Sequence, residues 1–148
     1  MKFIGGGLIL ICSFLHTYEF RLRLKRAISD LRTYYDLVEH VRMQIEYFAL
    51  PISKILADYD GAEAKTVPDI LESLESNDSL SSEEKKVISE WISHLGDGYK
   101  DEQLTRCGYA KEKLGQFLEK RTRDYPAKVK VNNALSFLGG ASLILLLM

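Results

Sequence analysis

Read along the chain, apolar positions change their spacing three times. Residues 3–18 form an apolar run of roughly 16 positions without a charge, slightly under the ~17–25 of a membrane-spanning helix. From Leu24 the spacing becomes an alternation of three and four: Leu24, Ala27, Leu31, Tyr34, Val38, Val41, Ile45 and Phe48. That period gives one long amphipathic helix with a single buried face. Pro51 ends or breaks it, since proline lacks the amide proton and clashes with the preceding turn. Pro51 then starts a short helix carrying Ile52, Ile55, Leu56 and Tyr59, closed by Asp60-Gly61. Thr66 and Pro68 open another, with Ile70, Leu71 and Leu74, which Ser76-Asn77-Asp78-Ser79 stops. Ser81 and Glu84 have capping-box spacing ahead of Val87, Ile88, Trp91, Ile92 and Leu95, and Gly96 is the expected left-handed stop. A last long helix carries Leu104, Cys107, Leu114, Phe117 and Leu118 as far as Pro126, where a turn or kink is expected before the apolar run 134–148. No segment alternates with period two, so no sheet is expected.

The fold class is therefore all-α: an antiparallel helical bundle flanked by N- and C-terminal transmembrane helices. The expected divisions are 1–18, a transmembrane helix; 19–130, a helical bundle; and 131–148, a second transmembrane helix. The first run also has signal-peptide length, but 14–18 offers no small-residue cleavage pattern, which favours a retained anchor. The second run could instead be a buried core helix, against which stands the unbroken aliphatic stretch 143–148. The stripe in 24–48 also fits a coiled-coil dimer, although Tyr34 and Ala27 suit an irregular bundle better. Small residues at Gly139 and Gly140 fall at about the depth of Cys12 and Ser13 if the two ends pair as a hairpin.

Charge adds a direction. Basic residues border both apolar ends on their inner sides: Arg21, Arg23, Lys25 and Arg26 after the first, Lys120, Arg121, Arg123, Lys128 and Lys130 before the second. By the positive-inside rule the middle is cytoplasmic, which predicts a two-pass protein of the cell membrane. Between 58 and 84 the chain is strongly acidic, and Asp69, Glu72, Glu75, Glu83 and Glu84 are the candidate partner-binding residues. The net charge of -1 leaves no basic excess for nucleic acid. Cys12 and Cys107 cannot pair across lipid and water, and His16, His40 and His94 are scattered, so neither a disulfide framework nor a metal site is expected. With no nucleophile motif, zinc-protease motif or phosphate loop, the chain reads as no enzyme and as needing no cofactor. Self-association is left open.

Three local stretches resemble the stage III sporulation protein AB family, whose soluble part is similar to the cytoplasmic domains of F-type platform proteins of type II secretion. The first family pattern, Glu-Ile-x-Tyr-x-x-Thr-Pro-Leu, is met by Ile45, Tyr47 and Pro51, with Gln44, Leu50 and Ile52 departing from it. The second, Leu-Gly-x-Ser-Asp-x-x-x-Gln, is kept at Leu95, Gly96 and Gln103, with Gly98 and Tyr99 in place of Ser and Asp. The third, Leu-Gly-x-Leu-Gly-Gly before aliphatics, is met by Leu135, Leu138, Gly139 and Gly140, with Ser136 at the first glycine. The resemblance implies a platform or scaffold in the channel apparatus joining mother cell and forespore. Its implied partners are a cytoplasmic secretion-type ATPase and other sporulation channel membrane proteins. A membrane-anchored coiled-coil adaptor or signalling dimer is the alternative that the heptads alone would support.

Overall fold

Helical periodicity is realised over nearly every residue that the computed structural model describes, namely 2–48, 51–57 and 66–147. The elements are α1 (Lys2–Phe48), α2 (Ile52–Ala57), α3 (Val67–Glu75), α4 (Ser82–Ser93) and α5 (Lys100–Leu147), with no strand among the described residues. Leu50, Tyr59, Gly61 and the acids Asp58, Asp60 and Glu63 lie outside them.

The caps follow their predicted chemistry. Thr66 has extended backbone, and its hydroxyl oxygen accepts from the Asp69 amide, with Pro68 in the first turn of α3. Ser81 and Glu84 form a reciprocal box: Ser81 Oγ accepts from the Glu84 amide at 3.3 Å, and the Glu84 carboxylate accepts from the Ser81 amide at 3.0 Å. Between these helices Asn77 accepts from the Ser79 amide at 2.8 Å and donates to Asp30 of α1 at 2.9 Å. The stop after α3 is thus also a hook onto α1. Gly96 and Gly98 both take positive φ, +86° and +83°, in the connection between α4 and α5.

The chain divides into two compact units. Residues Ala27–Lys120 share a core to which all five helices contribute. Its fully enclosed side chains are Leu31, Val38, Val41, Ile55, Leu74, Ile88, Ile92, Cys107 and Leu114. Burying each large aliphatic is worth about 1.5–3 kcal/mol against leaving it in water. The stripe Leu31, Val38 and Ile45 is thereby enclosed with Cys107, Ala110 and Leu114 of its own chain. Trp91 donates from Nε1 to Cys107 Sγ at 3.4 Å, which satisfies the indole inside the core. Burial pushes the Cys107 thiol above its ordinary range, only partly offset by the Trp91 hydrogen bond and the nearby Arg42 charge.

The second unit combines the described parts of Met1–Arg26 and Arg121–Met148. Here the apolar side chains point outward: Phe14, Phe137, Leu145 and Leu146 are largely exposed. The two helices approach each other in opposite chain directions, Gly6 beside Ile144 and Gly140 against Ser13. A Cβ on Gly140 would stand 3.4 Å from Ser13 Oγ, whereas one on Gly139 would meet nothing within 4 Å. Of the two glycines expected at the close approach, one occupies it. The hydroxyls of Thr17 and Ser142 donate to the carbonyls of Ser13 and Leu138, at 3.0 and 2.8 Å, so each is satisfied within its own helix.

Among the described residues one helix, α5, is long and apolar enough to cross a membrane, and only 6% of its most apolar stretch is buried. α5 runs on through Pro126, so of the turn or kink expected there the turn does not form and the proline sits inside a continuous helix. The ring frees the carbonyl four residues back, at Thr122, and both residues are exposed, so solvent can take the unused acceptor.

Candidate functional site

Two sequence patterns far apart in the chain meet at one end of the 27–120 unit. Ile45 is buried near the end of α1, Pro51 immediately precedes α2, and its carbonyl accepts from the Lys54 and Ile55 amides to start that helix. Leu95 packs on the core, and a Cβ on Gly96 would stand 3.5 Å from Ile52, next to Pro51. Gln103 reaches back along α5 and donates to the Gly98 carbonyl at 3.2 Å. Pro51 of the first motif and Leu95, Gly96 and Gln103 of the second therefore serve one construction, the seating of the 94–99 connection against the start of α2.

Two basic residues that the motifs do not include complete it. Arg106 donates to the His94 and Asp97 carbonyls at 3.3 and 2.9 Å, holding the connection from the α5 side. Lys100 donates to the Glu46 carbonyl at 2.9 Å, in the last turn of α1. A cation at a helix N-terminus opposes the macrodipole, so Lys100 is out of place for its own helix and in place for the end of α1. That conflict is the sequence signal by which it could have been found. Around this end Tyr47, Phe48 and Tyr99 are 72%, 64% and 84% exposed, large aromatic surfaces of the kind that anchor protein interfaces.

The acidic residues separate into two groups. Asp69, Glu72 and Glu75 on α3 and Glu83 on α4 are exposed. Asp69 also accepts from the Thr66 hydroxyl, within the N-terminal cap. Glu84 corrects the expectation: it is only 5% exposed and its carboxylate is engaged in the capping box, so it is part of the helix start and not of a docking face. Lys85 donates to the Glu75 carbonyl at 3.4 Å, placing a positive charge at the end of α3.

A second surface was not foreseen. α1 and α5 border an open groove of about 620 Å³ whose floor includes Gly108 and Gly115 and whose walls carry Tyr35, Arg42, Glu46 and Lys111. Lys111 pairs with Glu39 at 2.7 Å, and Arg42 approaches the same carboxylate at 3.8 Å. Two glycines seven residues apart on one helix face each cost about 1 kcal/mol in helix propensity, a signal of close packing or open space at that face. A Cβ on Gly115 would stand 3.6 Å from the Tyr35 ring; one on Gly108 would meet nothing. The surface, with mixed charges and no enclosed cavity, suits contact with another polypeptide. Among the described residues no group of three His, Cys, Asp or Glu side chains gathers as a metal site.

Against this geometry, the family model for stage III sporulation protein AB (spore_III_AB) matches residues 63–148. The match takes in just over half of the chain, including Leu95, Gly96, Gln103, Leu138, Gly139 and Gly140. The chain belongs to the stage III sporulation protein AB family, and it is a sporulation-related protein. No curated protein and no solved structure matches it.

Proposed function

We propose that the chain is a non-catalytic, membrane-anchored platform of the secretion-like apparatus joining mother cell and forespore, held by spans at 1–18 and 131–148 with the middle in the cytoplasm. It works there with a secretion-type ATPase and other sporulation channel membrane proteins. The observation that carries this reading is a contrast within the family-matched stretch. Its α3 and α4 acids stand in solvent, while the end of α5 is apolar, exposed and long enough to enter lipid. Exposed Asp69, Glu72, Glu75 and Glu83 give a basic motor surface an oppositely charged face, which speeds encounter and fixes orientation.

The test is a mild-detergent pull-down of the tagged chain from sporulating cells, with the copurifying proteins identified by mass spectrometry. Recovery of a secretion-type ATPase, lost in the Glu72→Lys, Glu75→Lys double variant, is the expected result. Recovery of the chain alone, or only with itself, overturns the platform reading. Topology is read with Tyr99→Cys in a Cys12→Ser background, since native Cys12 is exposed and native Cys107 is buried. A membrane-impermeant maleimide should label that exposed thiol only after the cells are opened, and labelling of intact cells overturns the cytoplasmic placement.

A further inference from the structure

The unit formed by the two chain ends carries a notch of about 300 Å³ with a graded lining. Its floor is polar and half-buried, made by Ser13 and Thr17 of α1 with Asn133 and Ser136 of α5. Phe14 and Phe137 form exposed apolar walls, and Tyr18 and Arg21 stand toward one end. We propose that this notch binds one anionic phospholipid, its phosphate on Arg21 and an acyl chain along Phe14 and Phe137. The proposal rests on the membrane-anchored reading above.

Length, charge and an unmet hydrogen bond argue for that occupant. Leu10 and Arg21 bound the notch along α1, and the eleven steps between them at about 1.5 Å each span ~16 Å, close to half of a ~30 Å hydrocarbon core. A cation at one end and apolar walls over one leaflet's depth reproduce the order of headgroup and chain. Arg21 is exposed and has no ion-pair partner among the described residues, and its planar guanidinium suits two phosphate oxygens at once. Arg23, Lys25 and Arg26 follow on the same helix and attract anionic headgroups to this level. Asn133 Oδ1 is buried without a hydrogen-bond partner among the described residues, an acceptor that the hydroxyls of a glycerol headgroup can fill once the amide turns toward the notch.

The experiment uses the full chain. Alkaline carbonate extraction of membranes comes first, then native mass spectrometry in neutral detergent with dioleoyl phosphatidylglycerol and dioleoyl phosphatidylcholine at equal concentration. One phosphatidylglycerol should be retained in preference to phosphatidylcholine. Arg21→Gln should lower that preference about tenfold, the scale of one hydrogen bond to a charged group. Ser136→Leu should abolish it without changing charge, while Arg23→Gln, outside the notch, should lower it no more than about fivefold. Equal retention of both lipids, or equal losses for Arg21→Gln and Arg23→Gln, overturns the site. So does a photo-crosslinker at Phe137 that captures a protein in cells and no lipid. Release of the chain by carbonate removes the membrane reading and the lipid site together, whereas an integral chain without lipid preference removes the site alone.

Discussion

Leu31 and Leu145 are the same side chain in the same kind of helix, and one is 0% exposed while the other is 73% exposed. The difference lies in their neighbours in sequence. Around Leu31 apolar residues recur every three or four positions, so one face of α1 can be enclosed by α2–α5 while charges remain in water. Around Leu145 the run 143–148 is apolar at every position, and no single partner helix can cover all sides. A stripe specifies a protein core, whereas an all-round apolar surface specifies an apolar solvent. The same transfer physics thus encloses the stripe in the 27–120 unit and leaves the all-round apolar end of α5 uncovered by its neighbours.

The largest effect that would test this contrast is a matched pair of truncations. Leu114→Ala removes a fully enclosed side chain and should cost about 3 kcal/mol. Leu145→Ala, with its side chain outward, should stay within about 0.5 kcal/mol when the detergent-solubilised chain is unfolded by denaturant and followed by helical circular dichroism. Equal losses would break the comparison.

Inside the end unit, Gly140→Leu should cost about 2 kcal/mol, because the new side chain meets Ser13 and the helices must part. Gly139→Leu meets open space and should leave thermal stability in detergent unchanged apart from a small helix-propensity gain. Equal behaviour of the two variants would remove Gly140 from the helix contact.

Smaller again is the capping box. Ser81→Ala should destabilise by about 1 kcal/mol, with hydrogen exchange accelerating first in the opening turn of α4. Exchange that quickens equally in α3 and α4 would mean that the box supports the whole core.

The smallest effect depends on pH. The buried Cys107 thiol titrates above its ordinary 9.0, chiefly because burial disfavours the thiolate. Tyr34 titrates above 10.0 through burial first and the Asp30 charge second, against a hydrogen bond with Ser73. In each case the unfolded chain loses its proton first, so stability is constant below the unfolded value and falls as pH rises beyond it. The denaturant midpoint should be flat from neutrality to about 9 and decline above, and Cys107→Ala should delay the decline into the tyrosine range. A decline that begins below pH 8 would point to other groups.

Much of this was readable in the sequence because it is local. The Thr66 and Ser81 caps and the Gly96 left-handed stop each depend on a few neighbouring atoms, and the three–four spacing marked most of the α1 face that became core. What escaped depends on distant partners. A turn was among the readings of Pro126, yet an exposed helix can leave one carbonyl to solvent and continue. Glu84 was read both as half of the Ser81 box and as a docking charge, and what its neighbours in sequence could not show is that the folded chain buries it. Lys100, Arg106 and the Gly108–Gly115 groove acquire meaning only when α5 lies beside α1 and the 94–99 connection. The pairing of Gly140 but not Gly139 with Ser13 is set by helix rotation, which equal residue types cannot reveal.

Trp91 is the single tryptophan of the chain, and its indole rests on the Cys107 sulfur. Sulfur in contact with an excited indole quenches its emission, so the native protein should be dim and should brighten when the two separate. The core thus carries its own optical reporter, free of dyes and usable in detergent or vesicles where light scattering defeats other spectroscopies. Because the emitting group lies in the 27–120 unit, its intensity follows the melting of that core and not the state of the chain ends.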